Sequence, residues 1–445
     1  MKTIVAGKTE IVNLLGKQAP KDSIYRLMKY VLQLETDEGI LLHNVITGQL
    51  VLADVQETRM LQELPCAYCS ETMNQLIENY FLVPTLEDEK QTVLKVRCIL
   101  KRLKRSTKIN HYEVFTTTKC NARCYYCFES NYRRIDMDEQ TMLQTVDFMV
   151  SHKDNTPLQI RWFGGEPLLG VKSIDEICYE LKKRGVEYIS AITTNGYIFH
   201  QDMVSKAKQL WNLKEAQITL DGTEEVYNQV KAYIGASESP FQRVTKNIEL
   251  LLIQGIKVII RLNLDQDNYG NLIQLCKELK ERFGKYENAK IVVHVVFRDQ
   301  GYKPIDRDDQ AEAELYRQYV DLSRLVESLG MAQHKAQLPS LRANSCMLDN
   351  DNSVCIYADG TLSKCTFITD GNTIGHVSQP GLQTEKRKAL ETTAEKEECS
   401  DCPLYPRCIL LEKCPFLESH NERACQYDIE KTVNDMRIFY KHCQK

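Results

Sequence analysis

From about residue 110 to 300 the chain alternates two textures. Short apolar runs at Glu113–Thr117, Gln159–Phe163, Tyr188–Thr193, Ala216–Leu220, Val258–Asn263 and Ile291–Val296 read as strands. Between them, stretches such as Asp138–Val150 and Phe241–Gln254 repeat apolar residues at helical spacing. Repeated β–α units predict parallel strands with helices outside them. Six units fall short of eight, so the pattern predicts a partial (β/α)6 TIM-type barrel, with its active site at the C-terminal strand ends. Before it, the apolar runs Tyr30–Leu34 and Ile40–His43 flank a hairpin-type turn, Thr36-Asp37-Glu38-Gly39. Helices are expected near Glu57–Leu64 and Glu71–Asn79, and an apolar run, Tyr80–Val83, ends at Pro84. The basic run Lys101-Arg102-Leu103-Lys104-Arg105 marks a boundary, as a solvated linker or a contact for an acidic peptide segment. After residue 335 the texture changes to short strands, turns and cysteines. The expected domains are therefore 1–100, 108–335 and 336–445.

Composition narrows the partners. A net charge of −4 gives no general attraction to nucleic acid or to an anionic membrane. No apolar run reaches membrane-spanning length, and the N-terminus has too short an apolar stretch for a secretory signal, so a cytoplasmic location is expected. The chain holds 17 cysteines. In a large protein kept where thiols stay reduced, clustered cysteines bind metal more often than they form disulfides.

The first cluster, Cys120-Asn121-Ala122-Arg123-Cys124-Tyr125-Tyr126-Cys127, follows directly on the first barrel strand. Three thiolates on one loop can hold three corners of a cubane and leave one iron open. A structural zinc wants four ligands, and no further cysteine or histidine is near in sequence. The spacing, with its aromatic residue before the last cysteine, resembles the radical SAM superfamily. The resemblance implies a [4Fe-4S] cluster on Cys120, Cys124 and Cys127 whose open iron binds S-adenosylmethionine (SAM). It also implies an external one-electron reductant and cleavage of SAM to a 5′-deoxyadenosyl radical that takes a hydrogen atom from substrate. Phe163-Gly164-Gly165-Glu166-Pro167, ending the second strand, is similar to the family's Gly-Gly-Glu motif. There the glycines let backbone approach ligand closely, and Glu166 accepts from the methionine ammonium. Asn195 after the third strand and Thr219 with Asp221 after the fourth match further family positions for SAM. Ten residues past Asp221, Lys231 stands where the family often has a carboxylate-binding arginine. It keeps the charge and loses the bidentate fork. Asn263 is a SAM-pocket candidate at the end of the fifth strand, and Arg261 is a pocket or structural residue.

The later cysteines resemble the SPASM extension, which holds two auxiliary clusters and brings the expected total to three [4Fe-4S] clusters. Tyr357–Cys365 is similar to its β-hairpin. Matched in order to that extension, the resemblance implies one auxiliary cluster on Cys346, Cys365 and Cys414, with Cys355 either its fourth ligand or a buried thiol. The other takes Cys399, Cys402, Cys408 and Cys425. A zinc ribbon on Cys399, Cys402, Cys408 and Cys414 is the alternative. Cys66-Ala67-Tyr68-Cys69 has redox-type spacing but no thioredoxin-like context.

Residues 1–100 resemble a winged-helix-like domain that recognises leader peptides, and alternatively form a structural cap. Together the resemblances imply a maturase acting on a ribosomally made precursor peptide. Its leader would add a strand to a sheet edge, and its core would be crosslinked through thioether or carbon–carbon bonds. A sulfatase-maturing enzyme that makes formylglycine is the second reading. A non-catalytic metal-binding peptide scaffold is the third, and such a scaffold needs no Gly-Gly-Glu motif.

Overall fold

The alternation of textures is realised in a computed structural model. It describes residues 1–445 except 20–22, 69–70, 297–308, 334–337, 368–370, 380, 416, 418–421 and 444–445. Of the Cys66–Cys69 pair, Cys69 therefore lies outside the described residues. Two compact units emerge, and the chain passes between them more than once. One comprises residues 1–105, 336–350 and 390–445, the other 106–335 and 351–389.

In the N-terminal unit the strands are β1 (Lys2–Val5), β2 (Ile24–Leu27), β3 (Val31–Thr36), β4 (Gly39–Asn44), β5 (Gln49–Ala53), β6 (Cys66–Ala67) and β7 (Leu82–Pro84). They form a four-stranded sheet in the order β1-β5-β4-β3 and a three-stranded sheet in the order β6-β2-β7. The expected hairpin is β3–β4, with Thr36 paired to Gly39 across the turn. A Cβ on Gly39 would sit 2.0 Å from the Ala53 carbonyl oxygen, so no other residue fits that turn. Alternation along the strands gives the first sheet two apolar faces. Val31, Ile40, Leu42 and Val51 face Leu76, Ile77 and Val93 of the neighbouring helices, together with Leu341 and Tyr405. Leu32, Leu41, Leu50 and Leu52 face Leu404 and the C-terminal helix through Met436 and Tyr440. Part of the cysteine-rich tail thus buries its apolar residues on this sheet. Residues 336–445 are shared between the two units.

The second unit is built on β8 (His111–Thr117), β9 (Leu158–Gly164), β10 (Tyr188–Thr194), β11 (Leu213–Thr219), β12 (Lys257–Leu264) and β13 (Ala289–Val295). These six strands are parallel and in sequential order. One side chain in two packs outward under the helices: Tyr112, Trp162, Ile192, Ile218 and Ile260 are all buried. The intervening positions form the concave face. Beyond β8 the sheet continues through β14 (Ser353–Ile356), parallel to β8, and then through antiparallel β15 (Thr361–Ser363) and β16 (Thr373–His376). The β14–β15 hairpin expected before Cys365 therefore extends the barrel sheet. Its turn places Gly360 at φ +85°.

Candidate active site

The cysteine loop springs from the C-terminal end of β8 and is pinned at both ends. Thr118 N donates to Ile135 O (2.9 Å), and Ile135 N donates to Thr118 Oγ1 (2.8 Å). Thr117 Oγ1 donates to Asp136 Oδ1 at 2.7 Å, and Lys119 Nζ reaches Asp136 Oδ2 at 2.6 Å. Between these clamps Cys120, Cys124 and Cys127 are half-buried. The Ala122 amide points at Cys120 Sγ (3.4 Å), and Cys127 N bonds Cys124 O (3.2 Å). Burial pushes the Cys120 thiol up to about 12 and the Cys127 thiol up to about 11. Uncompensated thiolates are disfavoured there, and a bound cation would release the protons. Among the described residues, no three His, Cys, Asp or Glu side chains converge as ligands of a single ion. A cubane asks something different, one thiolate per iron, and three thiols on one clamped loop fit that demand. Glu129, two residues beyond Cys127, was not singled out in the sequence. It is buried, its carboxyl is pushed up to about 8 by burial, and its Oε2 has no hydrogen-bond partner among the described residues.

The Gly-Gly-Glu segment packs against this loop. A Cβ on Gly164, at φ +115°, would sit 2.1 Å from Thr117 O, and one on Gly165 would sit 2.4 Å from Lys119 O. Both glycines let β9 close onto the backbone of the cysteine loop, a role that ligand-based reasoning had not assigned them. The Glu166 carboxylate is buried and already engaged. It accepts from Leu168 N (3.0 Å), Thr194 Oγ1 (2.7 Å) and Asn195 N (2.7 Å). Burial raises it to about 6 despite these donors. Asn195 in turn donates through Nδ2 to Asn121 Oδ1, inside the cysteine loop, at 2.8 Å. The ends of β8, β9 and β10 are thereby locked together.

A second network joins the loop to β11 and β12. Asp221 is buried and accepts at Oδ1 from Tyr126 OH (2.7 Å) and Asn263 Nδ2 (3.0 Å). Lys231, equally buried, places Nζ 3.1 Å from Asp221 Oδ2 and donates to Tyr126 OH at 3.0 Å. Burial opposes its charge, but Asp221 and its other anionic neighbours hold its pKa well above the usual range. Asn263 also accepts from Arg261 Nε at 2.9 Å. Thr219 faces Arg261 across the β11–β12 register.

The later cysteines assemble in groups. Burial raises the Cys408 thiol to about 12, with Cys425, Cys399 and Cys402 adding to the shift, and Cys425 is raised by burial and by Cys402 and Cys399. All four belong to the N-terminal unit. Cys346 feels Cys414 in the same unit, while Cys355 feels Cys365 in the barrel unit. Cys355 is fully buried on β14, its Sγ 4.0 Å from Glu113 Oε2.

One feature of the concave face escaped the sequence reading. A single register line runs through Cys355, Glu113, Arg161, Ala191, Glu215 and Lys257. Glu215 is shared by Arg161 at 3.5 Å and Lys257 at 3.0 Å. Charged residues at mid-strand in a parallel sheet, which is normally apolar throughout, were the available signal.

Parallel strands ending in a three-thiol loop, closed by Gly-Gly-Glu, define a SAM-dependent iron–sulfur domain. Residues 114–279 match the family model described as the Radical SAM superfamily, and the chain carries a radical SAM domain. Among characterised sequences it is similar to GTP 3′,8-cyclase of Clostridium botulinum (strain Okra / Type B1), 25% identical over 284 residues, covering 59% of this chain and 82% of that protein. The GTP 3′,8-cyclase of Nautilia profundicola is 24% identical, covering 66% and 92%. Among solved structures, AdoMet-bound anSMEcpe matches with a TM-score of 0.54 at 15% identity, over 74% of this chain and 98% of that one. Streptococcus suis SuiB bound to S-adenosylmethionine matches with a TM-score of 0.51 at 16% identity, over 88% and 94%. Both structural likenesses concern the fold. Among the described residues no helix is long and apolar enough to cross a membrane.

Proposed function

We propose that this chain is a radical SAM peptide maturase that carries three [4Fe-4S] clusters, one on Cys120, Cys124 and Cys127 and one on Cys399, Cys402, Cys408 and Cys425. The cluster on Cys120, Cys124 and Cys127, when bound, supplies the electron that cleaves SAM. The chain's own residues clamp that loop, hold SAM over the strand ends and exclude water from the concave face, where a peptide residue would lose its hydrogen atom. The observation that carries the peptide reading is the edge of β3. It ends its sheet, and beside it lies a groove of about 300 Å³ lined by Arg26, Leu27, Gln33, Leu61, Leu64 and Pro65. An extended leader segment can add to such an edge and set alternate apolar side chains in the groove. A solved structure of the same fold, anSMEcpe, was obtained with AdoMet and a peptide together.

The test incubates the reconstituted full chain anaerobically with SAM, a reductant and a candidate precursor peptide encoded beside its gene. Crosslinking removes two hydrogens from the peptide, visible by mass spectrometry. Leu61→Glu should weaken peptide binding while sparing uncoupled SAM cleavage. Formylglycine formation, the second reading, would instead remove two hydrogens from a cysteine and replace its sulfur by a carbonyl oxygen from water. GTP consumed in place of peptide would overturn both.

A further inference from the structure

Arg261 and Thr219 are register neighbours at the C-terminal ends of parallel strands. Their flanking residues Ile218, Ile260 and Leu262 are fully buried on the helix side, so both face the concave side. Neighbouring strands lie about 4.8 Å apart, which brings a hydroxyl and a guanidinium within reach of one small group. Arg261 spends only Nε, on Asn263 Oδ1. Its two terminal amino groups and the Thr219 hydroxyl have no partner among the described residues. A half-buried guanidinium fork with its terminal donors unspent is suited to a planar anion, which it grips bidentately.

Lys231 is differently placed. Its ammonium lies between Asp221 Oδ2 and Tyr126 OH, and the Asp221 carboxylate is shared among Lys231, Tyr126 and Asn263. Lys231 and Asp221 thus neutralise each other, leaving Arg261 as the surplus cation of this corner. We infer that Arg261, with Thr219, receives the carboxylate of SAM, and that Lys231 is a positioning residue holding Asp221 and Tyr126 beneath the cysteine loop. This rests on the reading that the concave face binds SAM. It moves the carboxylate contact from the helix after β11, where chain order suggested Lys231, to the end of β12.

The experiment compares SAM with decarboxylated SAM, which lacks only the carboxylate, by calorimetric titration of the reconstituted full chain. Arg261→Ala should weaken SAM about tenfold to a hundredfold, the range for a charged hydrogen-bonded contact, and leave decarboxylated SAM unchanged. Arg261→Lys, which keeps charge without the fork, should fall between, and it serves if the alanine variant is poorly folded. Lys231→Gln should alter both ligands by the same factor. Equal losses for both ligands in the Arg261 variants would overturn the assignment, as would a carboxylate-selective loss in Lys231→Gln. Wild-type protein that binds neither ligand would overturn the SAM reading beneath it.

Discussion

Gly165 has no left-handed backbone to justify it, so replacing it by alanine is a purely steric perturbation. The added Cβ would lie 2.4 Å from Lys119 O, 2.7 Å from Lys119 C and 2.8 Å from Thr118 O, all backbone atoms of the cysteine loop. Reaching an ordinary contact would require the carbonyl to retreat by about 1 Å. The loop cannot do so without stretching the bonds from Glu166 N to Lys119 O (2.8 Å) and from Gly165 N to Thr117 O (3.2 Å). Overpacking costs about 1–3 kcal/mol, and each strained hydrogen bond about 1 kcal/mol. Gly165→Ala should therefore destabilise the barrel unit by about 3–5 kcal/mol, roughly 6–20 °C in thermal midpoint. The assay is thermal unfolding with iron determination after reconstitution. Gly270→Ala is the control, because nothing lies within 4 Å of a Cβ at Gly270. A Gly165→Ala protein with the control's midpoint and full iron uptake would refute the claim that these glycines seat the loop.

Three more outcomes follow from the same geometry. Lys231→Met leaves Asp221 buried without its cation and should cost about 3 kcal/mol by denaturant unfolding, at the low end for a broken buried pair because Tyr126 and Asn263 still donate. Adding Asp221→Leu should recover part of that loss. Burial lowers His43 to about 4, although carbonyl oxygens of Gln49 and Pro339 face its two ring nitrogens at 3.1 and 2.9 Å. With its folded value below the unfolded one, His43 stabilises above pH 6.5, and that contribution, at most about 3 kcal/mol, is lost as pH falls towards 4. The slope should flatten in His43→Asn. Reconstituted protein should carry about twelve irons, and replacing Cys399, Cys402, Cys408 and Cys425 by alanine should remove about four while 5′-deoxyadenosine is still formed.

The barrel was legible because parallel strands and their helices repeat a pattern that few other arrangements satisfy. All six strands fall within three residues of their expected bounds, and the hairpin before Cys365 is where its turn residues put it. The roles of side chains were less legible. Gly164 and Gly165 read as ligand-facing, yet their constraint is the loop backbone, which only the pairing of β8 with β9 brings close. Lys231 was found by counting from Asp221, and counting says nothing of where an ammonium ends up. Arg261 and Thr219 become neighbours only through the register of β11 on β12. The sharing of residues 336–445 between two units was hidden for a similar reason. The partners of Leu404, Met436 and Tyr440 lie hundreds of residues upstream.

The central claim is that Cys120, Cys124 and Cys127 hold the cluster that cleaves SAM. It is tested most directly by incubating anaerobically reconstituted protein with SAM and dithionite and measuring 5′-deoxyadenosine by chromatography. The wild-type chain should form it, and the variant with all three cysteines changed to alanine should form none. Iron-loaded wild-type protein that yields no 5′-deoxyadenosine, or a triple variant that still yields it, would contradict the account.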